Sequence, residues 1–507
     1  MTRPPIVWSI AGLDSGGGAG LSADQRAADA MGVHLCAVAA AVTAQNSVAV
    51  EGIFPLPALQ IEAQLAALAG DLPPRAVKTG LLGSVEALRV VVRWIDRLRK
   101  GGEVALVVDP VLRASTGVGF AGEELLRAYR EELLPRATVV TPNRDEAARL
   151  AGAGEAPAQA QALRRLGAGA ACVTGGDAAG ALALDWLEAP QGRGWQALPR
   201  RDARHHHGTG CCFATALAAS LARGFTVADA AVLAKMLTTS ALGGGHATPG
   251  AGAGPVHPSP GFVTDPALLP AAFDELPQAW PRRAAGPAAV QGVYGITDRG
   301  AHAAALFDAG LRTVQLRLKR AAGEAEAAWQ ARLAGEVDAA RRPGATLVVN
   351  DHWREALALG VDFVHLGQED LAALTPADRH DLAEARRRGL RLGLSSHSLW
   401  ELARAAAWTP DYVACGPVWP TLTKAMPWRP QGLGNLAWWA AMAPVPVVGI
   451  GGVLEPGQLA DVAATGAAAG CVVRGLLAHP VQAWAEAWRR GSLLAPSVLP
   501  GWPQSSL

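Results

Sequence analysis

Three short stretches carry residues able to do chemistry. The first is Asn350-Asp351 with Asp370 a little further on. Two carboxylates and an amide suit a hard, oxygen-loving cation such as Mg²⁺, which would in turn carry a polyphosphate. The plainer alternative is a pair of turn aspartates capping helices. The second stretch is Gln315-Leu316-Arg317-Leu318-Lys319. Its alternation sends Gln315, Arg317 and Lys319 to one side, and two cations there require an anion. The third is Gly208-Thr209-Gly210-Cys211-Cys212, which opens an apolar helix. Gly-Thr-Gly at a helix start can cradle an anion with backbone N–H groups and the helix dipole, stabilising a transferring phosphoryl group. A thiol at that point is expected to have a lowered pKa, so Cys211 is the candidate base toward a substrate hydroxyl. Cys212 reads as a small buried residue of the helix start.

The elements around these residues say how they meet. Residues 346–349 form an apolar, partly β-branched run that stops at Asn350-Asp351. A helical stretch ends at Gly360, and a second apolar run, 363–366, stops at Gly367. Strand, helix, strand is a crossover, which makes the two strands parallel and sends Asp351 and Asp370 to one mouth. The same pattern recurs through the second half. Apolar runs end at Thr297-Asp298-Arg299, at Ser395-Ser396-His397, at Gly416-Pro417, at Gly451-Gly452 and at Arg474-Gly475. Eight such strands in about 200 residues fit a (β/α)8 TIM barrel with every strand ending on its catalytic face. The last two endings are where such barrels commonly hold phosphate.

In the first half, strand-like runs end at the Gly-rich stretch 11–20, at Thr43-Ala44-Gln45-Asn46, at Lys78-Thr79-Gly80, at Asp109-Pro110, at Thr141-Pro142-Asn143 and at Thr174-Gly175-Gly176. Helices between most of them imply an open α/β sheet covered on both faces. In such sheets ligands bind beyond the carboxyl ends of the strands. Pro and Gly density around 249–260 and 277–287 marks a joint. The expected division is a first domain at 1–262, a linker at 263–289 with a short helix at 266–275, and a second domain at 290–495.

Composition narrows the function further. The chain has 507 residues, with 45 Lys and Arg against 44 Asp and Glu. That balance argues against a nucleic-acid partner. No apolar run reaches the length needed to span a membrane, and the start leads directly into a strand with no signal peptide. The six cysteines form no CxxC pair, which fits a reducing, cytoplasmic location.

The first half resembles hydroxymethylpyrimidine/phosphomethylpyrimidine kinase, of the ribokinase-like superfamily. The resemblance rests on Ser9-Ile10-Ala11-Gly12, Asp14, Gly16 to Gly20, Ala23-Asp24, Thr43 to Asn46, Lys78-Thr79-Gly80, Asp109-Pro110-Val111, Thr141-Pro142-Asn143, Glu146 and Gly208 to Cys211, in that order. It implies a ribokinase-like α/β sandwich in which Asp24 and Gln45 help hold the pyrimidine. Gly208, Thr209 and Gly210 would form the anion hole, and Cys211 would be the base. ATP with Mg²⁺ would be the donor, with Asp109, Asn143 and Glu146 near its phosphates and the metal. Thr174 departs by standing where the family usually has Lys, and Cys212 replaces a usual Thr. The run His205-His206-His207 reads as a loop.

The second half is similar to thiamine-phosphate synthase. The similarity rests on Gln315, Arg317, Lys319, Asn350-Asp351, His365 to Asp370, Ser395 with His397, Gly416-Pro417 with Pro420-Thr421 and Thr423-Lys424, and Gly451-Gly452. It implies that Asp351 and Asp370 bind Mg²⁺. Gln315, Arg317, Lys319, Asn350, Ser395 and Lys424 would grip pyrophosphate and pyrimidine. Thr421, Thr423, Gly451 and Gly452 would touch the thiazole phosphate. Arg474 departs from a usual Ser. Together the halves imply thiamine biosynthesis: two phosphorylations of hydroxymethylpyrimidine, then condensation with hydroxyethylthiazole phosphate. The alternatives are a barrel acting as a thiazole tautomerase, or a first half reduced to a pyrimidine-binding regulatory module. The expected partners are these small molecules alone, with a homodimer left open.

Overall fold

The computed structural model describes residues 3–112, 122–176, 178–201, 204–242, 250–281, 290–421, 428–494, 496 and 500–505. The chain divides into two compact units, Met1–Trp280 and Pro281–Leu507.

The first unit is built on ten strands: β1 (Ile6–Asp14), β2 (His34–Gln45), β3 (Val50–Pro55), β4 (Ala76–Thr79), β5 (Ala105–Val108), β6 (Val139–Val140), β7 (Ala171–Val173), β8 (Leu182–Ala189), β9 (Gly192–Pro199) and β10 (Ala271–Phe273). They form one sheet in the order β10-β9-β8-β7-β6-β5-β4-β1-β2-β3. The run β2-β1-β4-β5-β6-β7 is parallel. These six are the strands that the apolar runs predict, and they give the expected ribokinase-like α/β sandwich. The other four pair antiparallel at the two edges and carry no comparable apolar run.

Helices cover the sheet because their apolar residues recur at helical spacing. The helix Val85–Arg99 starts at Ser84, whose hydroxyl accepts from the Ala87 N–H at 3.1 Å. Its Leu88, Val91, Trp94 and Ile95 are buried in one large apolar cluster, where Trp94 meets Trp8 edge to face at 6.3 Å. The helices Gly20–Met31 and Thr209–Ala222 pack on each other and on β1, the first also on β2 and the second also on β4 and β5.

The expected linker begins too early. Val263, Leu268, Leu269 and Ala271 are buried, and β10 pairs with β9. The helix expected at 266–275 is replaced by a single 3-10 turn, Pro266–Leu268, and then strand. Apolar burial of this short run outweighs the breaking tendency of its prolines.

The second unit is a closed barrel of eight parallel strands in chain order: β11 (Gly292–Thr297), β12 (Thr313–Leu316), β13 (Thr346–Asn350), β14 (Phe363–Leu366), β15 (Arg391–Ser396), β16 (Tyr412–Cys415), β17 (Val447–Gly449) and β18 (Ala469–Val472). Pairing of β18 with β11 closes it. Tyr294, Val348, Phe363, Tyr412 and Val448 fill the interior. Tyr294 and Tyr412 meet edge to face at 5.8 Å, the preferred contact of aromatic rings.

Gly393 on β15 makes room for the Tyr412 ring, since a Cβ there would lie 2.2 Å from it. Gly393→Ala is therefore expected to lower barrel stability by about 1–3 kcal/mol through overpacking. Urea unfolding of the barrel transition measures this, and an unchanged midpoint would contradict the packing described.

Candidate functional sites

The first site is a cleft of 1140 Å³ beyond the carboxyl ends of the parallel strands. Asp14 ends β1, Gln45 ends β2, and Gly80, Asp109, Asn143 and Thr174 follow β4, β5, β6 and β7, all on the cleft wall. The helix Thr209–Ala222 begins against it, with Gly208 as its N-cap at φ 88°. That left-handed value favours glycine, and a Cβ on Gly208 would also lie 2.5 Å from the Gly18 carbonyl. The Gly-rich loop and the helix start are thus packed together. Gly208, Thr209, Gly210 and Cys211 all line the cleft, where first-turn N–H groups have no intrahelical acceptor.

Asp14 organises the loop. Its carboxylate accepts the N–H groups of Gly16 at 2.8 Å, Ala19 at 2.9 Å and Gly18 at 3.0 Å. His207 Nε2 lies 3.3 Å from Asp14 and 3.0 Å from Gln45 Nε2. Burial pushes the Asp14 carboxyl up, but the His207 contact and the N–H groups of Ala19 and Gly16 more than offset it, and its pKa is lowered. Asn143 and Glu146 engage each other as a capping box on the helix Arg144–Ala151: Asn143 Oδ1 accepts the Glu146 N–H at 2.9 Å, and Glu146 Oε2 accepts the Asn143 N–H at 3.0 Å. Both also line the cleft.

Asp24 does not line the cleft. It is fully buried, and its oxygens are taken by Lys78 Nζ at 3.0 and 3.1 Å, by the Ser9 hydroxyl at 2.6 Å and by the Thr215 hydroxyl at 2.8 Å. The structure places Asp24, expected to help hold the pyrimidine, behind the cleft wall, where it anchors Lys78. Lys78 is itself fully buried and lies 3.8 Å from Asp109 Oδ2. Burial pushes the lysine pKa down, yet Asp24, Cys211 and Asp109 outweigh that and raise it. Asp109 is pushed up to about 6, by burial first and by Asp24, against the pull of Lys78.

The lowered pKa expected for Cys211 is corrected. Burial, with Asp24 and Asp109, pushes its thiol up to about 12, against Lys78 and the Gly20 N–H. The helix start does not acidify it, because burial, joined by two nearby carboxylates, outweighs it. Cys212 is fully buried, as expected. Thr174, the departure from the family pattern, lies on the same wall as Lys235, which is paired with Asp185 at 2.7 Å. Asp14, Lys78, Lys235 and His207 were given no role from the sequence. Lys78 and Asp14 had a signal, since each sits at a strand end beside glycine.

The second site is the barrel mouth. Asn350 is buried at the end of β13, and Asp351 follows with φ 66°. A left-handed aspartate outside glycine is a strained backbone that its surroundings must hold; here the Asp351 N–H donates to the His365 carbonyl at 2.9 Å. Asp370 Oδ2 accepts the Gly367 N–H at 2.7 Å and so caps the helix Gln368–Ala373. The plain capping role is real, whatever else the residue does. Gln315 is buried inside the barrel. Strand β12 ends at Leu316, so Arg317 is half-buried and Lys319 is exposed on the loop. Of the three residues expected on one side, Gln315 alone is buried, while Arg317 lies close enough to the His365 ring to act on it. Ser395 Oγ lies 2.9 Å from His365 Nε2. Gly451 and Gly452 adopt φ 94° and 76°, with Pro417 and Trp419 where their Cβ atoms would be. Thr421 lies at the edge of the β16 loop; Thr423 and Lys424 lie outside the described residues.

Mg²⁺ needs few protein ligands when phosphates supply the rest. Among the described residues no three His, Cys, Asp or Glu gather as a cage. In the cleft, Asp109 Oδ2 is buried without a hydrogen-bond partner, an oxygen that a phosphate-bound cation would satisfy. In the barrel, Asp351 and Asp370 leave neighbouring strands, and their oxygen donors suit the same ion.

Residues 14–257 match the family model for phosphomethylpyrimidine kinase, and residues 293–476 match that for thiamine monophosphate synthase. A probable thiamine biosynthetic bifunctional enzyme of Oryza sativa, chloroplastic, is 32% identical over 483 residues, covering 89% of this chain and 81% of that one. A thiamine biosynthetic bifunctional enzyme of Arabidopsis thaliana, also chloroplastic, is 33% identical over 89% of this chain and 85% of its own. A hydroxymethylpyrimidine/phosphomethylpyrimidine kinase of Streptomyces coelicolor is 41% identical over 50% of this chain and 94% of its own. With the two matched halves in the same chain, and with the sites just described at their strand ends, this protein belongs to the family of bifunctional thiamine biosynthetic enzymes.

Proposed function

We propose that the first unit phosphorylates hydroxymethylpyrimidine with ATP, and then its monophosphate, and that the barrel joins the resulting pyrophosphate ester to hydroxyethylthiazole phosphate. The products are thiamine phosphate and pyrophosphate. The observation that carries the reading is the convergence of Gln45, Asp109, Asn143 and the helix start at Gly208 on one cleft.

In the cleft, Gln45 is held by His207 and would meet the pyrimidine. The N–H groups at Gly208, Thr209 and Gly210 would stabilise the transferring phosphoryl group, where positioning and charge do most of the work. Asp109, Asn143 and Glu146 would stand near the nucleotide phosphates and Mg²⁺, which supplies positive charge against the phosphate oxygens. The Cys211 thiol is neutral at rest, so its role as proton acceptor belongs to its minor thiolate form. In the barrel, Asp351 and Asp370 would hold Mg²⁺. Gln315, Arg317, Lys319, Asn350, Ser395 and Lys424 would grip the pyrimidine and pyrophosphate. The carbon–oxygen bond breaks with its electron pair leaving on pyrophosphate, and the thiazole nitrogen lone pair forms the new carbon–nitrogen bond. Thr421, Thr423, Gly451 and Gly452 would hold the thiazole phosphate.

A homodimer is part of this proposal, supported by edge strand β3, which exposes Phe54 beside Val42 of β2. A cytoplasmic location is supported by six free cysteines. No helix among the described residues is long and apolar enough to cross a membrane.

Two outcomes are expected. Incubation with hydroxymethylpyrimidine, hydroxyethylthiazole phosphate, ATP and Mg²⁺ should yield thiamine phosphate, detected by mass. Asp370→Asn should stop at the pyrimidine pyrophosphate. Absence of thiamine phosphate with intact kinase turnover would favour a tautomerase barrel, and absence of ADP would favour a pyrimidine-binding module. Kinase turnover should also climb between pH 7 and 9, by up to about tenfold per unit, because the thiolate fraction grows at that rate below its pKa. Cys211→Ala should be slower and flat across this range; a flat wild-type profile would remove the thiolate from the mechanism.

A further inference from the structure

A file of buried hydrogen bonds crosses the barrel. Gln315 Nε2 donates to the Tyr294 hydroxyl at 3.0 Å. The Tyr294 and Tyr412 hydroxyls are 2.9 Å apart. Tyr412 Oη lies 2.8 Å from His365 Nδ1, and His365 Nε2 lies 2.9 Å from Ser395 Oγ. Tyr294 is 2% exposed and Tyr412 is not exposed at all. The Tyr412 ring also lies parallel to His365, with centroids 5.5 Å apart, so the file has little room to rearrange.

The file can run only one way. A tyrosine hydroxyl has one proton to give. The Tyr294 oxygen already accepts from Gln315. If it also accepted from Tyr412, its own proton would face no acceptor, and a buried donor left unpaired is costly. Tyr294 therefore donates to Tyr412, and Tyr412 donates to His365 Nδ1. The Nδ1 atom is then bare, and the imidazole proton sits on Nε2, donated to Ser395 Oγ. A ring that accepts at Nδ1 and donates at Nε2 is neutral. At the two ends the consequences are opposite. Gln315 has spent an N–H inside the file and turns its carbonyl oxygen outward as an acceptor. Ser395 has received a proton contact and keeps its own O–H to donate.

We propose that Tyr294, Tyr412 and His365 are positioning residues of the barrel reaction, and that their one-way file fixes Gln315 as an acceptor for an N–H of the aminopyrimidine and Ser395 as a donor to a phosphate oxygen. Arg317, which acts on the His365 ring, brings positive charge to the file, as an anion bound at Ser395 would require. The naming of these ligand groups rests on the proposed thiamine-phosphate synthase function; the direction of the file does not.

The test uses the full chain with ¹⁵N-labelled histidine. His365 is assigned by the signal lost in His365→Gln, and two-bond ¹⁵N–¹H correlations at pH 7 report which ring nitrogen carries the proton. The Nε2–H tautomer is expected. In Gln315→Glu the carboxylate can only accept, so the file should reverse and the tautomer change to Nδ1–H. Tyr412→Phe breaks the file while keeping the ring; it should lower the barrel kcat by about tenfold, the worth of one buried hydrogen bond, with little change in KM for the thiazole phosphate and with the kinase rate as in wild type. An Nδ1–H or doubly protonated His365 in the wild type, a tautomer unmoved in Gln315→Glu, or wild-type barrel kinetics in Tyr412→Phe would overturn the proposal. A wild-type barrel that makes no thiamine phosphate would instead count against the proposed function, since the tautomer is read without any substrate.

Discussion

Parallel pairing is the constraint on which both sites depend. A parallel strand must be followed by a crossover before the next begins, so successive strands point the same way and their carboxyl ends share one rim. In the barrel, closure of β18 on β11 makes that rim a ring, and residues as distant in sequence as Gln315 and Ser395 are linked through two tyrosines and a histidine. In the first unit, the six-strand parallel run brings Asp14, Gln45, Asp109 and Asn143 to the wall of one cleft. The antiparallel strands at its edges extend the sheet and contribute Asp185, the partner of Lys235.

Beneath each rim lies a buried polar assembly, and neither is incidental. Taking Asp24 and Lys78 out of water is costly, and removal of one member of such a pair typically destabilises by about 3–5 kcal/mol. Ser9 and Thr215 complete the hydrogen bonding of Asp24, which leaves Lys78 fixed beside Asp109. Burial opposes ionisation of Cys211, and of the charges nearby Lys78 favours it while Asp24 and Asp109 oppose it. A helix start and Lys78 pull that thiol one way, burial and two carboxylates the other, and burial decides the balance.

Much of this was legible in the chain. The strand endings of the barrel stand out because the strands are short and apolar and most are stopped by Gly, Ser, Asn or Asp, and the glycine pair Gly451-Gly452 marks the turn where φ must be positive. The kinase motifs stand out for the same reason. Strands β3, β8, β9 and β10 were not legible. The edge strand β3 has mostly exposed or half-exposed residues, β8 and β9 interrupt their apolar residues with Asp185, Glu188, Arg193 and Gln196, and β10 is three residues long. The burial of Asp24 was hidden because it depends on Lys78 and Thr215, which lie 54 and 191 residues away. Tyr294 and Tyr412 read as ordinary aromatic strand residues, and only the closed barrel sets their hydroxyls together.

The two units make chemical sense in one chain because the product of the first is the electrophile of the second. The measurement that tests this most directly is the ratio of ADP to pyrophosphate formed from hydroxymethylpyrimidine and hydroxyethylthiazole phosphate in a single reaction. Two phosphorylations followed by one displacement require two ADP for each pyrophosphate, with thiamine phosphate equal to the pyrophosphate. Pyrophosphate appearing without ADP, or ADP accumulating without pyrophosphate while both substrates are saturating, would contradict the account.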